Sequence, residues 1–104
     1  MKMIKGASSE VARKEIASIV DNLFKYYYDF FSNNEVLNSD GIRLYKRISY
    51  YLYLLDDKLA ISYYKESLRD PSLENVLKFS NLFLNDLDDK LKIYIYGEFY
   101  KIKK

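Results

Sequence analysis

From Ala12 to Phe31 the apolar residues Ala12, Ile16, Ile19, Val20, Leu23, Tyr27 and Phe30 or Phe31 recur every three or four positions. That spacing lines one face of an α-helix; one face of a strand would repeat every second residue. Ser8 or Ser9 supplies an N-cap, and Glu10 in the first turn opposes the positive end of the helix dipole. The pattern predicts a long helix over residues 9–32, stopped by Ser32-Asn33-Asn34. The stretch to Asp40 then reads as a loop, with Val36 and Leu37 tucked onto the core.

Asp40-Gly41 opens a second predicted helix, with Leu44, Ile48, Tyr51, Leu52 and Leu55 on one side. Asp56-Asp57 is a break and cap, and a third helix is expected from Lys58 to about Arg69. At Asp70-Pro71 the chain should stop and restart. Proline disfavours helix in the residue before it and suits the first turn of a helix after it. The fourth helix, over 71–85, is then capped by Asp70 and carries Leu73, Val76, Leu77, Ser80, Phe83 and Leu84 along one face. Ile16, Leu23, Ile48, Leu52, Val76 and Leu84 are the expected core.

The last segment has two readings. Leu91, Ile95, Phe99 and Ile102 continue a helical stripe. Leu91 to Tyr96 also alternates and meets Gly97-Glu98, which suits a tight β-hairpin over 91–103. Helix is favoured, because Leu55-Asp56-Asp57-Lys58-Leu59-Ala60-Ile61 recurs 32 positions later as Leu87-Asp88-Asp89-Lys90-Leu91-Lys92-Ile93. Such a period is found in duplicated helical hairpins, and chance likeness between two helix starts is the competing explanation. Residues 58–71 resemble the second half of a tetratricopeptide repeat in the spacing of Leu59, Tyr63 and Asp70-Pro71. Arg43, Lys46 and Glu66 depart from that pattern, so the resemblance covers about one hairpin and assigns no family. The fold class expected is all-α: a bundle of four or five helices in one domain, 1–104, with two hairpins packed on the long first helix as one arrangement.

Composition bounds the chemistry. At 104 residues, 49% hydrophobic and 31% charged, the chain can bury roughly two-thirds of its unfolded surface without metal or disulfide staples. Cysteine is absent, which removes disulfides and thiolate sites and makes a reducing, cytoplasmic location the expectation. Histidine is absent too, and with it the usual general base near neutral pH and the commonest metal ligand. No apolar segment follows Lys2 and Lys5, so no signal peptide is read. The longest apolar run, Tyr50 to Leu55, falls far short of the roughly 20 residues that cross a bilayer. A net charge of +2 announces no polyanionic partner. Abundant Lys, Asn, Ile and Tyr fit an AT-rich genome, such as that of a low-GC bacterium, a phage or an archaeal virus.

Candidate sites are few. Asp86, Asp88 and Asp89 offer oxygen ligands, but the glycine and glutamate of a calcium-binding loop are missing, and helix capping accounts for them. Asp56 and Asp57 are adjacent, so they do not face one another on a helix, and no nucleophile accompanies them. Scattered Gly6, Gly41 and Gly97 form no phosphate loop. No catalytic residue, cofactor, metal or small-molecule substrate is therefore assigned, and the protein reads as non-enzymatic.

Tyrosine gives the better lead, at 12 residues with 6 Phe and no Trp. Successive helical residues point about 100° apart, so Tyr26, Tyr27 and Tyr28 cannot all face one core. Tyr50, Tyr51 and Tyr53 pose the same problem. Tyr26, Tyr28, Tyr50 and Tyr53 are the expected partner-binding residues, since tyrosine combines large contact area with low side-chain entropy; the plainer reading puts them at the rim of a small core. Arg43, Lys46, Arg47 and Tyr50 form an alternative nucleic-acid stripe, in which cations meet phosphates and the ring stacks a base. Most helices carry such a solvated face, and the basic tail Lys101, Lys103 and Lys104 has the same two readings. The function expected is docking on a larger protein, as an inhibitor, immunity-type or regulatory factor, or self-association as a homo-oligomer; nucleic-acid binding is the alternative.

Overall fold

The computed structural model describes residues 2–85 and 87–91, with the backbone alone at 2–8 and 88. Seven helical segments follow in order: α1 (Lys2–Lys25), α2 (Tyr27–Phe30), α3 (Ser39–Lys46), α4 (Ile48–Leu55), α5 (Lys58–Arg69), α6 (Leu73–Ser80) and α7 (Leu87–Leu91). Single residues, Tyr26 and Arg47, separate α1 from α2 and α3 from α4. The described chain is thus an all-α bundle of five helical units. Leu91 is the last described residue of α7, and the rest of the 91–103 hairpin alternative lies outside the described residues.

The apolar stripe of α1 does what its spacing requires. Ala12, Ile16, Ile19, Val20, Leu23 and Phe24 are all buried, and α4 is the main element laid across them. The helix does not run unbroken to residue 32. Tyr26 leaves helical geometry (φ −110°, ψ 46°) and α2 restarts at Tyr27. The break accompanies an aromatic stack: Tyr27 and Phe31 lie 4.7 Å apart and Phe24 and Phe31 5.9 Å apart, all three rings buried.

The second helix starts earlier than expected, because Asn38 is its N-cap: the side-chain oxygen accepts from the Gly41 N–H at 2.8 Å. Gly41 matters for a different reason from turn-making. A Cβ there would run into the Phe30 carbonyl and the Leu37 side chain, so glycine lets α3 approach the end of α2. Between α4 and α5, Asp56 adopts the left-handed conformation and Asp57 caps α5 by accepting from the Ala60 N–H at 3.1 Å. The 87–91 copy of this motif is one helical segment through Leu87, Asp88, Asp89, Lys90 and Leu91, so the two copies fold differently.

The break at Asp70-Pro71 is real, but its cap is not Asp70. Ser72 caps α6 by accepting from the Asn75 N–H at 3.3 Å, while Asp70 ends α5 and its carbonyl accepts from the Asn75 side-chain amide. Pro71 therefore precedes the cap, and α6 ends at Ser80, five residues short of expectation. The six expected core residues Ile16, Leu23, Ile48, Leu52, Val76 and Leu84 are all buried.

A polar chain crosses this core. The Ser67 hydroxyl donates to the Tyr64 carbonyl at 2.7 Å, so Tyr45 must donate to Ser67 Oγ at 2.6 Å. The Tyr64 hydroxyl in turn donates to the Tyr45 carbonyl at 2.9 Å. Each of these three hydroxyls has an acceptor, which is what permits Tyr45, Tyr64 and Ser67 in the interior. The Tyr45, Tyr64 and Phe79 rings pack around it with centroids 5.1 to 5.8 Å apart.

Candidate functional site

Helix geometry settles which tyrosines are surplus to the core. Tyr27 and Tyr51 turn inward, the first buried and the second half-buried, and their neighbours turn out. Tyr26 is 49% exposed, Tyr28 62%, Tyr50 66% and Tyr53 83%. All four expected partner-binding tyrosines thus present their rings to solvent. Two of them are braced from beneath. Tyr28 meets Tyr27 edge-on at 5.2 Å, and Tyr50 meets Tyr51 edge-on at 5.2 Å. Tyr26 sits under the Lys25 ammonium, 5.7 Å from the ring centroid.

The four form two pairs. Tyr26 forms the α1–α2 break and Tyr28 follows in α2, whereas Tyr50 and Tyr53 project from α4. No described ring contact joins one pair to the other. Tyr53 is one wall of an apolar groove of about 310 Å³ between α4 and α5, lined also by Ser49, Leu52, Ile61, Tyr64, Lys65 and Leu68. Sequence reading missed this groove, although Ile61, Tyr64, Lys65 and Leu68 stand at the i, i+3, i+4, i+7 positions of one helix flank.

The alternative stripe is also exposed: Arg43, Lys46, Arg47 and Tyr50 all reach solvent. Arg47 keeps near-helical backbone angles (φ −64°, ψ −20°), so the stripe crosses the α3–α4 junction intact. Acidic groups dilute it. Asp40 Oδ1 lies 3.4 Å from the Arg43 guanidinium, and Arg43 and Arg47 share an open pocket of about 590 Å³ with Asp29, Asp40, Phe30 and Leu44. Cations alternating with carboxylates make a poor phosphate track.

Two tyrosines inside the bundle are chemically quiet. Burial pushes the Tyr64 phenol up from 10.0 to about 12 and raises Tyr45 as well, so both stay protonated near neutrality. Among the described residues no group of three or more Asp, Glu, His or Cys side chains could hold a metal ion, and the side chains of Asp86 and Asp88 lie outside them. No described helix is long and apolar enough to cross a membrane. Comparison with protein-family models, curated proteins and solved structures finds no match for this chain.

Proposed function

We propose that this is a non-enzymatic protein-binding factor, of the inhibitor, immunity or regulatory kind, that acts by docking on a larger protein or on itself. The observation that carries this reading is the set of outward tyrosines, two of them braced edge-on by inward-turned neighbours. A ring already held in place loses little conformational freedom on binding, and an exposed ring left idle would only add apolar surface. The test pairs stability with association. Tyr28→Ala and Tyr26→Ala should leave thermal melting nearly unchanged, since exposed sites contribute little to folding. The same variants should weaken assembly, followed by sedimentation or by retention of a partner from the native host, by about 1 kcal/mol or more. Variants that melt and assemble normally would remove these tyrosines from the interface.

The Arg43, Lys46, Arg47 and Tyr50 stripe supports nucleic-acid binding as the second reading, because it is continuous and exposed. That reading requires a salt-dependent complex with DNA or RNA that Arg47→Ala weakens.

A further inference from the structure

We propose that the groove between α4 and α5 receives an acidic amphipathic helix presented by a protein partner. This rests on the protein-binding reading above but uses a different surface, with Tyr53 the only residue common to both. The groove floor is Leu52 and Tyr64, both buried, with Ile61 and Leu68 half-buried beside them. Its one phenol asks nothing of a ligand, because the Tyr64 hydroxyl already donates to the Tyr45 carbonyl. Such a floor suits aliphatic side chains. α5 has 12 residues, or about 18 Å of rise, which matches apolar anchors at i, i+3 or i+4, and i+7 of a docked helix.

Charge selects the kind of helix. Lys65 lines the groove, and helical register sets Lys58 seven residues before it and Arg69 four after it on the same exposed flank of α5. Lys46, at the end of α3 and seven residues before Tyr53, is also exposed. Glu66 falls on the far side of α5 by the same register. Asp57, at the closed end, is held by the Ala60 N–H and by Arg13 at 3.6 Å, and Asp56 lies in the turn beyond α4. An apolar floor beside a cationic flank complements an apolar stripe bordered by Asp and Glu.

The probe is a pair of synthetic peptides of about 16 residues with leucines at i, i+3, i+4, i+7 and i+11, one flanked by Glu and one by Lys. Titrated against the whole protein at about 50 mM salt, the Glu peptide should bind at least roughly tenfold more tightly, and the gap should narrow as salt rises. Lys65→Glu with Arg69→Glu should reverse the preference. Leu68→Asp should abolish binding, and Tyr53→Glu, at a site too exposed to affect folding, should weaken it even if the first variant does not fold. Equal binding of both peptides, or of neither, overturns the proposal. So does a dimer dispersed by Tyr53→Glu, which would make a second copy the occupant. Binding of a single-stranded oligonucleotide or of phosphatidylserine vesicles that Tyr53→Glu weakens, in place of peptide, also overturns it. Tyr28→Ala should leave peptide binding intact. If no peptide binds while Tyr26 and Tyr28 variants still disrupt assembly, the groove proposal falls and the protein-binding reading stands.

Discussion

Alkaline pH should destabilise this protein through two buried phenols. Tyr64 is 4% exposed, and burial, only partly opposed by hydrogen bonding, pushes its pKa from 10.0 to about 12; Tyr45 is raised for the same reason. A raised value means that the folded state holds the proton more tightly than the unfolded chain does. The resulting stability is present in full below the unfolded value of about 10 and is lost as pH climbs toward the folded one. At about 1.4 kcal/mol per unit, Tyr64 alone would forfeit on the order of 3 kcal/mol across that window, and Tyr45 adds to it. Urea unfolding at pH near 8, 10 and 11.5 reads this directly. Tyr64→Phe should cost about 1 kcal/mol at pH 8, where it removes the bond to the Tyr45 carbonyl. Above pH 10 it should lose stability more slowly than the parent protein. Lysine deprotonation is common to both and cancels in the comparison. Tyr53→Phe, at an exposed position, serves as the control. Parallel loss of stability in the parent and Tyr64→Phe between pH 10 and 11.5 would refute the argument.

Three further outcomes follow from packing and caps. Gly41→Ala should destabilise by about 1–3 kcal/mol in urea melts, because its methyl meets the Phe30 carbonyl, which cannot swing aside as a side chain would. Ser72→Ala should cost about 1 kcal/mol through loss of the α6 cap, while Asp70→Ala should stay within about 0.5 kcal/mol; the reverse order would move the cap back to Asp70. Leu52→Ala should cost roughly 2–5 kcal/mol by the same assay, and a loss typical of surface sites would contradict its burial.

Periodicity made the helices and the core faces legible, because burying one stripe is a long-wavelength demand that many residues express together. Ile16, Leu23, Ile48, Leu52, Val76 and Leu84 followed from it, as did the outward turn of Tyr26 and Tyr28 around an inward Tyr27. Helix ends are decided by single hydrogen bonds instead. Asn38 and Ser72 cap where Asp40 and Asp70 offered equally good chemistry, and only the chain's three-dimensional path chooses between them. The groove was unreadable for a related reason: it exists only where the flank of α5 meets that of α4. The Tyr45–Ser67–Tyr64 hydrogen bonds join residues on separate helices, so no local spacing announces them.

The loop between α2 and α3 has a consequence for cooperativity. Its Leu37 N–H donates to the Pro71 carbonyl at 2.9 Å, and its Glu35 carbonyl receives the Leu73 N–H, the first donor of α6, at 2.8 Å. Glu35 takes a left-handed backbone (φ 59°) within this loop. A helix start is thereby satisfied by a segment from the other half of the chain. The α5–α6 hairpin cannot open without stripping that donor, so it cannot fray as an independent unit. Folding must close a loop of more than thirty residues before these bonds form, which places them late on the path. In native-state hydrogen exchange the amides of Leu37 and Leu73, although one lies in a loop and the other at a helix edge, should open together and with the core rather than with the surface.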